Sequence, residues 1–257
     1  MGVQARTRAK EIREAREAER RRAANRTRMI SVVGGVIILG LLAAIVISLV
    51  NAARKDQSTA IPTLPAGQTA VAPANTTPGG AIVLGQPSAP VRLEVFVDYM
   101  CPYCGKFEKA NAGELNRLVA DGTVRLELYP LAFLDRMSEG SKYSTRTASA
   151  VAAVADKAPD KVLAFNQALY EHQPAEGTTG LSDEEIASLA RGVGVPTEVV
   201  LDFHERRFAP WVTASTAKVL DGGVSGTPTV KINGTVFKGD LYTAGPLTEA
   251  ILAAKGQ

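Results

Sequence analysis

The sequence predicts an α/β domain that carries an inserted helical block and follows one transmembrane helix. Three observations predict it. Residues 29–53 hold no charged side chain, two short segments near residues 91 and 124 alternate apolar with polar residues, and apolar residues recur at helical spacing between and after them. A chain of 257 residues has room for one or two domains.

The charge distribution sets the orientation of the chain. Residues 1–28 carry ten basic and four acidic side chains, whereas residues 57–257 carry 17 basic against 21 acidic. The net charge of +3 therefore hides a basic tail on a mildly acidic body. No nucleic-acid partner is expected, because such a domain gathers basic charge on its folded part. Ile30–Val50 is a 21-residue apolar run broken only by Ser31, Ser48 and three glycines. At ~1.5 Å per residue it reaches across the roughly 30 Å hydrocarbon core of a bilayer. Ten cations precede it and only Arg54 and Lys55 closely follow. The positive-inside rule then leaves residues 1–28 as a cytosolic basic tail, makes residues 29–53 a single-pass cell-membrane anchor and puts the remainder outside the cytosol. A cleaved signal peptide ending at Val50-Asn51-Ala52 is the alternative, but the apolar stretch and its leader are both longer than usual. Ala9–Arg28, with Glu17 and Arg21 at i,i+4, predicts a solvated helix near anionic headgroups. Residues 54–80, rich in Pro, Ala, Thr and Gly without periodicity, read as a linker. No internal repeat is apparent.

Residues 81–257 form one domain. Ala81–Leu84 predicts a short strand closed by Gly85-Gln86-Pro87. Val91, Leu93, Val95 and Val97 alternate with Arg92, Glu94, Phe96 and Asp98, the pattern of a second strand. Pro102 suits the first turn of a helix, where its missing N–H costs nothing, and Phe107, Ala110, Leu115 and Leu118 continue that helix. Val124–Tyr129 alternates again and stops at Pro130. Four helices follow, at Ser141–Ala155, Asp160–Glu171, Ser182–Arg191 and Thr197–Leu220, the last broken near Pro210. Ser182 and Glu185 make a capping box. Thr229–Ile232 and Thr235–Phe237 flank Asn233-Gly234, which favours a type I′ hairpin turn. A helix at Pro246–Ala254 closes the chain. Hydrophobic content of 46% excludes a wholly disordered chain.

Both cysteines of the protein lie in Cys101-Pro102-Tyr103-Cys104, where a strand ends and a helix begins. Two cysteines exclude a multi-disulfide scaffold and a four-thiolate zinc site. Spacing of three in a first helical turn brings the sulfurs within disulfide reach. Cys101 faces the free N–H groups of the helix start, which stabilise a thiolate and can lower a thiol pKa to roughly 3.5–7.5. A stabilised thiolate leaves readily and makes the disulfide oxidising. Cys101 is therefore expected to be the exposed nucleophile and Cys104 the buried resolving thiol. Three other uses of the pair compete. A structural bridge would close too small a loop to constrain the unfolded chain much. A zinc site lacks ligands, since His172 and His204, the only histidines, have no ligand spacing. Two soft thiolates could hold Cu(I) for delivery. Thiol–disulfide exchange itself needs no cofactor.

Phe96-Val97-Asp98-Tyr99-Met100-Cys101-Pro102-Tyr103-Cys104, a helical block and then Ser225-Gly226-Thr227-Pro228-Thr229 resemble the DsbA-like thiol:disulfide oxidoreductases of the thioredoxin superfamily, over about residues 81–257. The resemblance implies a thioredoxin-like fold with a helical insertion at about residues 137–220. It also implies a cis-proline loop at Thr227-Pro228, where an extended substrate peptide pairs as an added strand. The implied substrates are exported thiol-containing proteins, with oxidation to disulfides as the favoured direction. The implied reoxidising partner is an integral-membrane, quinone-linked protein of the DsbB or VKOR kind. Family members often bury an acid beneath the resolving cysteine as a proton relay. Asp98 and Glu94 are the candidates, with Asp98 alternatively a cap of the loop. The Pro-Tyr dipeptide departs from the best-known members, which place a histidine beside the thiolate. A reductase or isomerase using the same pair is the nearest rival. Dimeric isomerases carry a dimerisation domain before this fold, and residues 54–80 are too short and Pro-rich for one.

Overall fold

The computed structural model describes residues 70–256. The expected cytosolic tail (1–28), transmembrane helix (29–53) and first part of the linker lie outside the described residues. Among the described residues no helix is long and apolar enough to cross a membrane. Residues 70–80, read from the sequence as the end of the linker, instead pack on the domain. Val83 N–H donates to Asn75 C=O at 2.8 Å and Thr77 N–H to Ala81 C=O at 2.8 Å. Lys218 Nζ donates to the Pro78 carbonyl at 2.8 Å.

A five-stranded sheet in the order β1-β3-β2-β4-β5 forms the frame. Its strands are β1 (Ile82–Leu84), β2 (Val91–Val97), β3 (Val124–Pro130), β4 (Thr229–Ile232) and β5 (Thr235–Val236). Only β2 and β3 run parallel, from Val91 opposite Val124 to Val97 opposite Pro130. They are joined by α1 (Pro102–Ala120), whose Phe107, Leu115 and Leu118 are buried in the main core. Burial of each such side chain contributes roughly 1.5–3 kcal/mol. The last helix, α7 (Pro246–Ala254), adds Leu247 and Ile251 to the same cluster.

The alternation in β2 suggests one wet face, and here the structure differs. Of the residues expected there, only Arg92 is exposed; Glu94 (8%), Phe96 (3%) and Asp98 (0%) are all buried. A second cluster covers that side, where Phe96 stacks on Tyr129 at 4.2 Å and meets Val219 and Val224. Val219 belongs to α6 (Ala209–Asp221), so a helix of the insertion is what shields this face. A strand buried on both sides can keep alternating polarity when its polar members find partners.

The insertion contains α2 (Tyr143–Lys157), α3 (Val162–Glu171), α4 (Asp183–Gly192), α5 (Thr197–Leu201) and α6. The long segment Thr197–Leu220 is broken earlier than Pro210. After α5 comes a short 3₁₀ turn, Asp202–Glu205, and then Arg206 at φ 49°. Pro210 instead sits in the first turn of α6, where its lost N–H has no partner to miss. The capping box of α4 is present: Glu185 N–H donates to Ser182 Oγ at 3.2 Å and Ser182 N–H to Glu185 Oε2 at 2.7 Å. In the hairpin, Asn233 and Gly234 take φ 49° and 86°. The Asn233 amide oxygen also accepts from Arg92 N–H at 2.9 Å, tying the turn back to β2.

Arg146 locks the insertion together. Its guanidinium, 8% exposed, pairs with Asp183 at 2.6 Å and donates to the carbonyls of Ser141 (2.9 Å) and Leu181 (2.8 Å). Removing a buried cation strands several acceptors at once. Arg146→Ala is expected to cost ~3 kcal/mol or more in urea denaturation. Asp183→Asn takes the counter-charge from that buried guanidinium and is expected to cost roughly 1–3 kcal/mol.

Candidate active site

The end of β2 carries the chain straight into the site. Asp98 follows the strand, Cys101 is the N-cap of α1 (φ −74°, ψ 115°), and Pro102 opens the helix. Phe96 pairs with Thr229 of β4, and this register sets Thr227-Pro228 beside the same strand end. The Thr227–Pro228 bond is cis. Cys101 S–H donates to the Thr227 carbonyl at 3.3 Å. The structure thus brings Cys101, Cys104 and Thr227 together from segments over 120 residues apart.

The two cysteines are free thiols, and neither is exposed. Cys101, expected to be open, is 5% exposed, while Cys104 is 0% exposed. Their acidities diverge. Cys101 falls from 9.0 to about 6, first because the Cys104 thiol donates to its sulfur, against the opposing effect of burial. The Thr227 hydroxyl and the N–H groups of Cys104 and Tyr103 add to the stabilisation. The helix-start N–H groups are therefore real contributors but not the leading one. Cys104 is pushed well above 9.0, first by burial and next by the same bond to Cys101. The charge belongs to Cys101.

The acids fall in places the sequence does not foretell. Asp98 is wholly buried, and burial pushes it up to about 7 against three hydrogen bonds. Met100 N–H (2.8 Å), Leu134 N–H (2.9 Å) and Ser144 O–H (2.6 Å) all donate to its carboxyl. It offers Cys104 its main-chain N–H rather than that carboxyl. Asp98 thus caps the active-site turn and pins it to α2. Glu94 is not brought to the cysteines. It lies in mid-strand, beside Lys231 of β4 and Glu127 of β3, with Arg92 at 3.4 Å. It stands four residues before Asp98, about 13 Å of extended chain.

Three residues of the site carry no signal that the sequence reading used. Glu108, one turn beyond Cys104 on α1, is raised to about 7 by burial, partly offset by the amide of Asn166. Tyr99 O–H donates to Asn166 Oδ1 at 2.9 Å, and Asn166 Nδ2 donates to Glu108 at 2.8 Å. Gln173, just past α3, donates through Nε2 to the carbonyls of Tyr99 (3.0 Å) and Cys101 (2.8 Å). A Cβ on Gly105 would collide with that amide, so the glycine admits Gln173 to the turn. Glu108 and Gln173 line a cleft of about 590 Å³ between α1 and the end of α3. The i,i+4 spacing of Glu108 from Cys104 is the one local signal that could have found it. Among the described residues no cluster of three or more His, Cys, Asp and Glu side chains could hold a metal ion.

A sheet with a Cys-x-x-Cys helix start, faced by a cis-proline loop, is the architecture of a thioredoxin-fold protein. The family profile described as Thioredoxin matches residues 76–251, and the chain belongs to that family. It is similar to the solved MdbA protein of Actinomyces oris, a thiol-disulfide oxidoreductase, with 26% identity and a TM-score of 0.62 over 74% of this chain and 93% of that one. It is 27% identical over 162 residues to the disulfide bond formation protein D of Bacillus subtilis, covering 62% of this chain and 70% of that protein. It is also 34% identical over 123 residues (46% of this chain) to the serine/threonine-protein kinase PknE of Mycobacterium tuberculosis, but spans only 22% of that protein's length.

The asymmetry of the pair is measurable. Alkylation of the reduced protein is expected to show a Cys101 midpoint at about 6 and no reaction at Cys104 through pH 9. Cys104→Ala removes the leading donor and should move that midpoint upward. Because the folded Cys101 thiol is more acidic than the unfolded one, its contribution to stability is full above about pH 9 and lost as pH falls through about 6. The stability of the reduced protein relative to the oxidised protein should therefore fall in denaturation experiments as pH drops from 8 to 5. Asp98 and Glu108 titrate in both forms and largely cancel in the difference.

Proposed function

We propose that this chain is a membrane-tethered, extracytoplasmic thiol:disulfide oxidoreductase that passes its Cys101–Cys104 disulfide to exported proteins. The observation that carries the reading is the Cys101–Cys104 pair at the start of α1, facing the cis Thr227-Pro228 bond with Cys101 in contact with the Thr227 carbonyl, and the lower pKa of Cys101 agrees with it. A substrate thiolate attacks the Cys101 sulfur, and Cys104 leaves and takes a proton. A second substrate thiolate then attacks the substrate sulfur of the mixed disulfide and expels Cys101 as a thiolate. Two electrons pass from the substrate to the enzyme; of the two thiol protons the substrate gives up, one ends on Cys104 and the other goes to solvent, and the substrate gains its bridge. The lowered pKa of Cys101 makes it the better leaving group in that second step, which favours oxidation of the substrate.

Other residues support the cycle. Thr227 and Pro228 border the nucleophile and bind the substrate backbone. Asp98 holds the turn, and the Cys104 proton is exchanged through Glu108, the acid at the edge of the cleft. The uncharged run at residues 29–53 and the basic tail before it support the tether and its orientation. A domain held at the membrane surface is within reach of a quinone-linked integral-membrane partner of the DsbB or VKOR kind, which would remove the two electrons.

The test uses a reduced, unfolded protein with two thiols. The oxidised protein is expected to convert it to the disulfide form stoichiometrically. Cys101→Ser should abolish transfer, and Cys104→Ser should accumulate the mixed disulfide when the reduced variant meets an oxidised substrate. A reduction potential close to that of the strongly reducing dithiols would reverse the assigned direction and favour a reductase. Glu108→Gln should lower the rate most between pH 6 and 8, and a flat ratio of rates across that range would remove Glu108 from the cycle.

A further inference from the structure

Six large apolar side chains are exposed among the described residues, and two of them are aromatic: Tyr103 (53%) and Tyr242 (45%). Both lie beside the nucleophile, and they touch each other. Their ring centroids are 5.8 Å apart at a 50° tilt. Tyr103 sits between the two cysteines in the chain. Tyr242 arrives from the loop between β5 and α7. Burial raises its phenol, and negative charge at Cys101 raises it further.

The placement of Tyr242 is built into the fold. Asn111, 3% exposed on α1, donates to the Leu241 carbonyl at 2.9 Å while also bonding the Phe107 carbonyl at 2.9 Å. Asp240 accepts from Tyr242 N–H and from the Thr243 hydroxyl, each at 2.7 Å. A buried amide and an Asx turn thus hold a large apolar ring in solvent, next to a reactive sulfur. Nothing in the packing of the core requires that exposure. Preformed apolar surface of this kind lowers the ordering cost of a bound partner.

We propose that Tyr103 and Tyr242 form a docking shelf for an aromatic side chain of the client, so that preferred clients are unfolded segments bearing Phe, Tyr or Trp within about two residues of the reacting cysteine. The occupant follows from the chemistry. A mixed disulfide fixes the client sulfur about 2 Å from Cys101 Sγ, and two residues of extended chain reach about 7 Å. Whatever rests on these rings during exchange is therefore a near neighbour of the client cysteine. An aromatic ring gains tilted or offset contact with both tyrosines. Lys106 Nζ stands 4.8 Å from the centre of the Tyr103 ring, which disfavours a cationic side chain at the same place. The inference rests on the oxidoreductase reading and deepens it by naming the client class.

The experiment uses the oxidised full chain and three peptide dithiols that differ only at the position beside the attacking cysteine: Phe, Ala or Lys. Rates are corrected for each peptide's measured thiolate fraction. The Phe peptide is expected to react about 3- to 10-fold faster than the Ala peptide, the size of one aromatic pair, with the Lys peptide slowest. In Tyr242→Ala the Phe-to-Ala ratio should fall to near one, and Tyr242→Phe should retain it. Comparing two peptides on one variant cancels any change in Cys101 reactivity. Equal rates for all three peptides in the unmodified chain, or a ratio that survives Tyr242→Ala, would overturn the shelf and leave the oxidoreductase reading standing. Oxidation of none of the peptides would overturn that reading, and the shelf with it.

Discussion

One interaction organises the acidities of this pair: the side chain of Cys104 stabilises charge on the sulfur of Cys101. It is the leading reason that Cys101 is acidic and the second reason, after burial, that Cys104 is not. The same contact thus moves the two thiols in opposite directions. Its geometry depends on features that a helix start alone does not provide. Pro102 sets the first turn, Thr227 faces Cys101 from across the sheet, and the burial of Cys104 keeps its proton in place. Remove the burial and the two thiols compete as equals; remove the helix start and they drift apart.

The thioredoxin-like sheet supplies the cysteines, but the inserted helices supply most of their polar surroundings. Ser144 of α2 binds the Asp98 carboxyl, Asn166 and Tyr170 of α3 reach Tyr99 and the Asp98 carbonyl, and Gln173 holds the carbonyls of Tyr99 and Cys101. Residues 98–101 are therefore gripped from the insertion side by four side chains. This grip is not cheap for the fold. Asp98 and Glu108 both titrate near 7 when folded, far above their unfolded values of 3.8 and 4.5. The folded state holds more protons than the unfolded one between those limits, so each acid takes away stability as pH rises from about 4 to 7. Such a cost is tolerated where the rest of the domain, with its two-sided sheet and the Arg146 lock, has stability to spare.

How much of this was legible in the sequence depends on range. Local rules carried β2, α1, the capping box at Ser182, the Asn233-Gly234 turn and the final helix nearly to the residue, because each rests on neighbours within one turn or one pleat. The acidity split was also foreseeable in sign from a cysteine at a helix start. Alternation placed Glu94 and Asp98 on one face of β2, and both proved buried, yet the pattern could not tell the end of a strand from its middle. Only Asp98 reaches the site, and Ser144, 46 residues away, decides where its carboxyl points. Asn166 lies on α3 and Gln173 just past its end, the register of that helix against α1 is set by packing, and no local spacing announces such partners. The break before α6 does fall near Pro210, but its cause lies upstream: Pro210 is compatible with a first helical turn, and the interruption comes from Arg206 in a left-handed conformation.

The Pro-Tyr dipeptide changes the origin of the thiolate's stability. The leading groups that lower the pKa of Cys101 are a thiol, a hydroxyl and two peptide N–H groups, all neutral. A cationic neighbour would act through a charge that salt screens, with a screening length of about 8 Å at physiological ionic strength. Buried neutral donors at hydrogen-bonding distance carry no counter-ion atmosphere and act at short range in a poorly polarisable medium. The position that a cation would have occupied is thereby freed for an aromatic ring, and Tyr103 turns it outward to meet Tyr242. In this chain, then, acidity comes from inside the turn, and the residue between the cysteines is available to choose what approaches it.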